Sequence, residues 1–315
     1  MKKIIITLFS FVALISVKSY SQSKDNANYI SLSTYIDSSV EEKADGAASV
    51  LSSKLNQIVS SNGMSNNYSR FIITANINPL TKDVLGTAPT TIAYTLDVTF
   101  YIGDGVDGNK FASYSRTVKG VGTNETKALI NAFKSINTSD KELQNFITKG
   151  KSKIIEYYNS RCDLIIRQAR VLQNQNQFDE ALYMLTSIPD ACTDCYNKAI
   201  PVIEEVYKAK INSDCKTKLQ EAKLYWASNP TLDGANVVAD ILSDIDPRAS
   251  CYNDVNTFSK SVAKRVLELD GREWKFKVDT ELGLEKDRIK AIRDIGVAWG
   301  NGQPNTVNYN VHGWW

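Results

Sequence analysis

Five cysteines, at positions 162, 192, 195, 215 and 251, are the residues of this 315-residue chain whose spacing most invites chemistry. Cys192-x-x-Cys195 has the spacing of a dithiol redox pair, but no βαβ pattern surrounds it. Zinc would want four ligands, and the single histidine, His312, is far away in sequence. One histidine near the end also gives poor support to a Ser-His-Asp or Cys-His centre. Asp104 and Asp107 could approach a calcium ion, yet the loop lacks the twelve-residue ligand pattern and reads as a solvated hairpin. Gly120-x-Gly122 lacks the third glycine of a phosphate cradle and reads as a turn. Adjacent acids such as Glu204-Glu205 could do acid–base work only if a cleft received them. We therefore expect no metal and no cofactor, and the reading leans away from catalysis.

All five tryptophans (226, 274, 299, 314 and 315) lie in the last 90 residues. Tryptophan is favoured at interaction hot spots, and aromatic faces also serve sugars. Trp299, Trp314, Trp315 and Tyr309 are thus the candidate binding residues. The alternative is that this tail folds back onto its own core.

The first half carries the signals of a small sheet with helices. Ile30 to Ile36 alternates apolar and polar residues, as a half-buried strand does. Ser38 or Ser39 with Glu41 or Glu42 forms a capping box. Behind it Ala44, Ala47, Ala48, Leu51, Leu55 and Ile58 share one helical face, stopped by Asn62-Gly63. Three strands follow, over 70–78, 91–103 and 110–119, the last two joined by the loop Asp104–Asn109. A helix begins near Thr123, and Ser139 with Glu142 opens another. The order β-α-β-β-β-α suits one antiparallel sheet with helices on one face. The stretches LNQIVSSNG, RFIITANI, DVTFYIGDGVDGNKFASYS and VKGVGTNETKALINAF resemble curli-secretion (CsgG-type) envelope domains. That resemblance implies an assembly role in the envelope.

From about residue 150 the chain is helical and repeats itself. Cys162 and Ala169 match Cys215 and Ala222 at an offset of 53; Phe178-Asp179-x-Ala181 matches Leu232-Asp233-x-Ala235 at 54; Cys195-Tyr196 matches Cys251-Tyr252 at 56. The repeat sets one disulfide in each unit, Cys162–Cys195 and Cys215–Cys251, and leaves Cys192 over. NQFDEALYMLTSIP resembles the second helix of a tetratricopeptide repeat, which implies stacked helices that bind peptides or proteins. Each unit adds a third helix, over 197–211 and 254–269. Further on, Val278, Leu282, Ile289, Ile292, Gly296 and Trp299 fall at near-heptad spacing, as on a long helix.

Composition (43% hydrophobic, 23% charged) excludes a disordered or collagen-like chain. Residues 1–21 have the charge, apolar run and small residues of a signal peptide. Lys2, Lys3 and Lys18 fall in that segment with no acid, so the formal +2 becomes −1 after cleavage. Near-zero charge speaks against nucleic acid, and no later segment is apolar enough to span a bilayer. IPDACTDCYNKA, LYWASNP and AIRDIGVAWGNGQP resemble exported proteins of Bacteroidetes-type bacteria. The expected product is α+β: a signal peptide (1–21), an α+β domain (22–149), a two-unit disulfide-stapled helical repeat (150–270), and a charged helix with a Trp-rich tail (271–315). It would be exported, to the periplasm, the outer membrane or beyond, and act as a non-enzymatic module that binds an envelope protein. Two other readings stay open: a carbohydrate- or peptidoglycan-active protein using carboxylates and Trp, with a glycan as partner, and a thiol redox protein using Cys192 and Cys195.

Overall fold

A computed structural model describes residues 30–44, 46–66, 69–271, 274 and 309–315. The signal segment, the near-heptad run from Val278 and the candidate binding residue Trp299 lie outside the described residues.

The fold is α+β. Strands β1 (Ser33–Thr34), β2 (Phe71–Leu85), β3 (Thr91–Asp104) and β4 (Lys110–Gly122) form one sheet in the order β1-β2-β3-β4. The sheet is mixed, where an antiparallel one was expected. β1 runs parallel to β2 because α1 (Ser38–Lys43) and α2 (Ala48–Ser61) carry the chain back before β2 begins. Only two residues of the expected first strand pair within it. β2–β3 and β3–β4 are antiparallel, with Ile73 opposite Ile102 and Gly103 opposite both Ile72 and Lys110.

Local chemistry explains the boundaries. Asp37 caps α1, accepting from the Ser39 amide at 2.9 Å, so the expected serine–glutamate box does not form. Leu51, Leu55 and Ile58 give α2 its buried stripe. Asn124 caps α3 (Glu125–Lys134) through the Lys127 amide. Asp140 stands at the start of α4 (Lys141–Asn174) without capping it. Its carboxylate instead accepts from the Tyr114 hydroxyl and pairs with Arg116, both at 3.2 Å, so the Ser139–Glu142 box is replaced by a tie to the sheet.

The helices pack on one face of the sheet. Ile73, Ala75, Ile77, Leu96, Val98, Phe100 and Ile102 meet Leu51, Leu55, Phe133, Phe146 and Ile147 in the main core. Gly120 and Gly122 are strand residues rather than a turn. A Cβ on Gly120 would stand 2.0 Å from the Ala128 carbonyl oxygen, so the missing side chain lets α3 lie against β4.

α4 is continuous through residues 149 and 150, where sequence composition shifts. Its first half covers the sheet with Leu143, Phe146 and Ile147; its second half opens the helical array with Cys162 and Ala169. α5 (Phe178–Thr186), α6 (Thr193–Ser228), α7 (Leu232–Ser243) and α8 (Tyr252–Asp270) follow. The third helix of the first unit and the first helix of the second are one helix, α6, which runs on through Pro201. The main core extends to Val206 and a second core begins at Ile211; Tyr207 packs against both.

Candidate functional site

Cys162 on α4 is bonded to Cys195 on α6, and Cys215 on α6 to Cys251 at the head of α8, with Cα separations of 5.4 and 6.2 Å. These are the pairs the repeat sets opposite each other. In each unit the bond joins the first helix to the third. Cys192 is free, wholly buried, and its thiol is pushed up to about 12 by burial. A thiol so protonated is a poor nucleophile. Since Cys195 is engaged with Cys162, the Cys-x-x-Cys pair is not assembled as a dithiol.

The loop Asp104–Asn109 is a hairpin with a solvated tip, Val106 and Asp107, on a buried base. Asp104 is completely buried, and Arg70 stands where a bound cation would. The Arg70 Nε donates to Asp104 Oδ2 at 2.8 Å and its Nη2 to Asp107 Oδ2 at 2.7 Å. The second oxygen of Asp104 accepts from the amides of Val106 and Asp107. Burial alone would make Arg70 easier to deprotonate; the carboxylates of Asp104 and Asp107 beside it reverse that and hold it charged. Burial raises the Asp107 carboxyl, with Arg70 opposing.

The segment 309–315 lies over the outer face of this hairpin, while Asp104 and Arg70 sit near Tyr158 of α4 and Tyr183 of α5. At Tyr101–Asp104 the in–out alternation of β3 stops and consecutive residues are buried, because both faces are covered. Trp314 is 3% exposed, packed with Ile72, Tyr101 and Val311. Its indole N–H donates to the Gly108 carbonyl at 2.9 Å, and Lys110 Nζ donates to the Trp314 carbonyl at 2.8 Å. The Asn310 amide donates to the Gly105 carbonyl at 2.6 Å. The Tyr309 hydroxyl donates to the Ser69 carbonyl at 3.2 Å, and its ring meets Tyr35 edge-on. Three glycines make the room. A Cβ on Gly103 would stand 2.3 Å from the indole, one on Gly105 2.3 Å from the Tyr309 ring, and one on Gly108 2.8 Å from the Asn310 amide nitrogen. Of the candidate binding residues, Trp314 and Tyr309 are therefore engaged within the chain; Trp315 remains 41% exposed, beside Tyr101.

A second concave region lies where the two cores meet. Pro201, Glu204, Glu205, Tyr207, Lys208 and Ile211 of α6, with Arg248 from the loop after α7, line a cleft of about 360 Å³. Arg248 grips Asp246 with two nitrogens, Nε at 3.0 Å and Nη2 at 2.6 Å, and donates to the Tyr207 hydroxyl at 2.7 Å. The Tyr207 hydroxyl in turn donates to Asp246 Oδ2 at 3.0 Å. Burial raises the Tyr207 hydroxyl, and Asp246 adds to this. Burial would raise Asp246 too, but the bonds from Arg248 and Tyr207 hold it below the usual carboxylate range. Glu205 pairs with Arg170 on α4 at 2.9 Å. Both glutamates of the Glu204-Glu205 couple line the cleft, and Glu205 is also held in an ion pair. Asp246, held below the usual carboxylate range by these partners, is a poor proton donor at neutral pH.

No family model matches the chain, and no match is found among curated proteins. Among solved structures it is similar to a minor lipoprotein from Acinetobacter baumannii, at 18% identity and a TM-score of 0.22, over 40% of this chain and 85% of that one. A likeness at that level bears on neither fold nor function.

Among the described residues no three His, Cys, Asp or Glu side chains are grouped to hold a metal ion, and no helix is long and apolar enough to cross a membrane. Two disulfides fit a protein of an oxidising compartment. Nothing local in the sequence singles out Arg70 or Tyr207, whose partners lie more than 30 residues away; Arg248 stands two residues from Asp246 but meets Tyr207 only through the fold.

Proposed function

We propose that this chain is a non-catalytic, exported cell-envelope protein that binds a partner protein through the cleft beside Pro201 and Tyr207 of α6. The observation that carries this reading is the cleft itself: about 360 Å³, within the range of ligand sites, at the junction of two disulfide-stapled units. Its walls carry Glu204 and Glu205 on one side of the charge balance and Lys208 and Arg248 on the other, around Pro201, Tyr207 and Ile211. Such a surface suits a polypeptide segment bearing both signs of charge. Arg248 and Tyr207 are of the types that dominate protein interfaces. Export rests on the paired disulfides, and the envelope compartment is part of the proposal.

The test is site-specific photo-crosslinking in the intact chain, produced in an envelope-bearing bacterial host of origin. A photoreactive residue at Lys208 should yield one discrete adduct, reduced at least tenfold by Arg248→Glu. A probe at Glu268 on α8 serves as the control. Equal, diffuse labelling from both positions would overturn the proposal.

A further inference from the structure

The seat of Trp314 has the attributes of a peptide-binding site, and we infer that it is one: the outer face of the sheet at the β3–β4 hairpin binds an aromatic peptide, and residues 309–315 occupy it as the chain's own ligand. Three observations lead there. First, the contact is modular. Ile72, Tyr101, Val311 and Trp314 form an apolar cluster separate from the main core, with the sheet between them. Emptying it leaves the packing of Ile73, Phe100 and Ile102 against the helices in place. Second, recognition is of the kind proteins use for peptides. One large anchor fills a slot, and hydrogen bonds engage main chain: the Asn310 amide donates to the Gly105 carbonyl, and Lys110 donates to the Trp314 carbonyl. Third, the slot is shaped for its occupant. Gly103 lies between Ile72 and Lys110 across the strands, so its missing side chain leaves a gap the width of a ring.

The ligand this site reads is a short peptide with a tyrosine and, five residues later, a tryptophan, the spacing of Tyr309 and Trp314. The indole N–H must find the Gly108 carbonyl, which selects Trp over Phe. Attachment in cis gives the chain's own segment a high effective concentration. An outside peptide therefore binds well only when the internal one is displaced, and segment 309–315 acts as a gate.

A labelled synthetic peptide, Tyr-Asn-Val-His-Gly-Trp-Trp, tests this against the full chain by fluorescence anisotropy. Trp314→Ala, which vacates the slot, should bind it saturably and at least tenfold more tightly than the unmodified chain. The same peptide with its first Trp replaced by Ala should lose at least tenfold. Equal binding by both chains, or no saturation with the variant, overturns the inference. Should Trp314→Ala fail to fold, the unmodified chain answers by hydrogen exchange. Excess unlabelled peptide should speed exchange at the Asn310 amide at least tenfold, and unchanged exchange overturns it. Neither readout involves the cleft on α6, so this inference and the proposed partner binding fail separately.

Discussion

A Cβ placed on Gly105 would stand 2.3 Å from Cδ1 of Tyr309, and the three atoms it would meet first all belong to Tyr309. Gly105→Ala is thus a conflict with one side chain. We expect it to destabilise the chain by about 1–3 kcal/mol, the usual cost of overpacking. Tyr309→Ala should remove most of that penalty, so that the double variant is no less stable than Tyr309→Ala alone. Urea unfolding of the four members of the cycle measures the coupling. A penalty that survives in the Tyr309→Ala background would place the cost in the hairpin backbone instead.

The thiols offer a count. Each disulfide closes a loop of more than 30 residues and contributes about 3–4 kcal/mol on a loop-entropy model. Native chain kept oxidised should take up no alkylating reagent, since Cys192 is buried and its thiol is held protonated. Unfolding without reductant should expose one thiol, and unfolding with reductant five. Intact mass distinguishes these outcomes. Two or more thiols in the oxidised, unfolded chain would break the pairing. Cys215→Ser with Cys251→Ser should lower stability by about 2–5 kcal/mol.

Much of this architecture is legible in the sequence because its signals are local or repeated. The period-2 run of β3, the Leu51/Leu55/Ile58 stripe of α2 and the offset cysteines need only neighbours to be read. Helix continuity is not local in that sense. The end of the expected third helix at residue 211 and the shift in composition near residue 150 look like breaks, yet α6 and α4 run through both, α6 with Pro201 inside it. Packing on two cores outweighs one lost backbone bond. The tail seat could have been found from a subtler signal. Phe100 to Gly103 is apolar on both faces of a strand whose outer face should meet water. Glycines at 103, 105 and 108 mark a backbone that something approaches closely.

Acid should act on Asp246 and Asp107 in opposite ways. Asp246 lies below the usual carboxylate value in the fold, so its contribution is complete above the unfolded value of about 3.9 and is lost as pH falls through the folded value. Asp107 lies above it, because burial outweighs Arg70; its ionisation opposes folding, and acid relieves that. The urea midpoint should therefore fall less steeply between about pH 5 and pH 2 in Asp246→Asn than in the unmodified chain. It should fall more steeply in Asp107→Asn. Identical slopes for all three chains would remove both assignments.

Arg248, Tyr207 and Asp246 form a closed triangle of hydrogen bonds, and its members should not act independently. Tyr207→Phe keeps the ring that packs on both cores and loses the hydroxyl, which should cost about 1 kcal/mol. Arg248→Ala leaves Asp246, only 16% exposed, without its cation and should cost about 1–3 kcal/mol. Arg248→Lys should recover little, because an ammonium cannot reproduce the two-nitrogen grip on Asp246. Both single losses include the shared Arg248–Tyr207 bond, so the double variant should fall short of their sum by about 0.5 kcal/mol or more. Strict additivity in urea unfolding would mean that the triangle is three separate contacts. In that case Tyr207 would join the two cores by packing alone, and Arg248 could engage a ligand in the cleft without loosening the second unit.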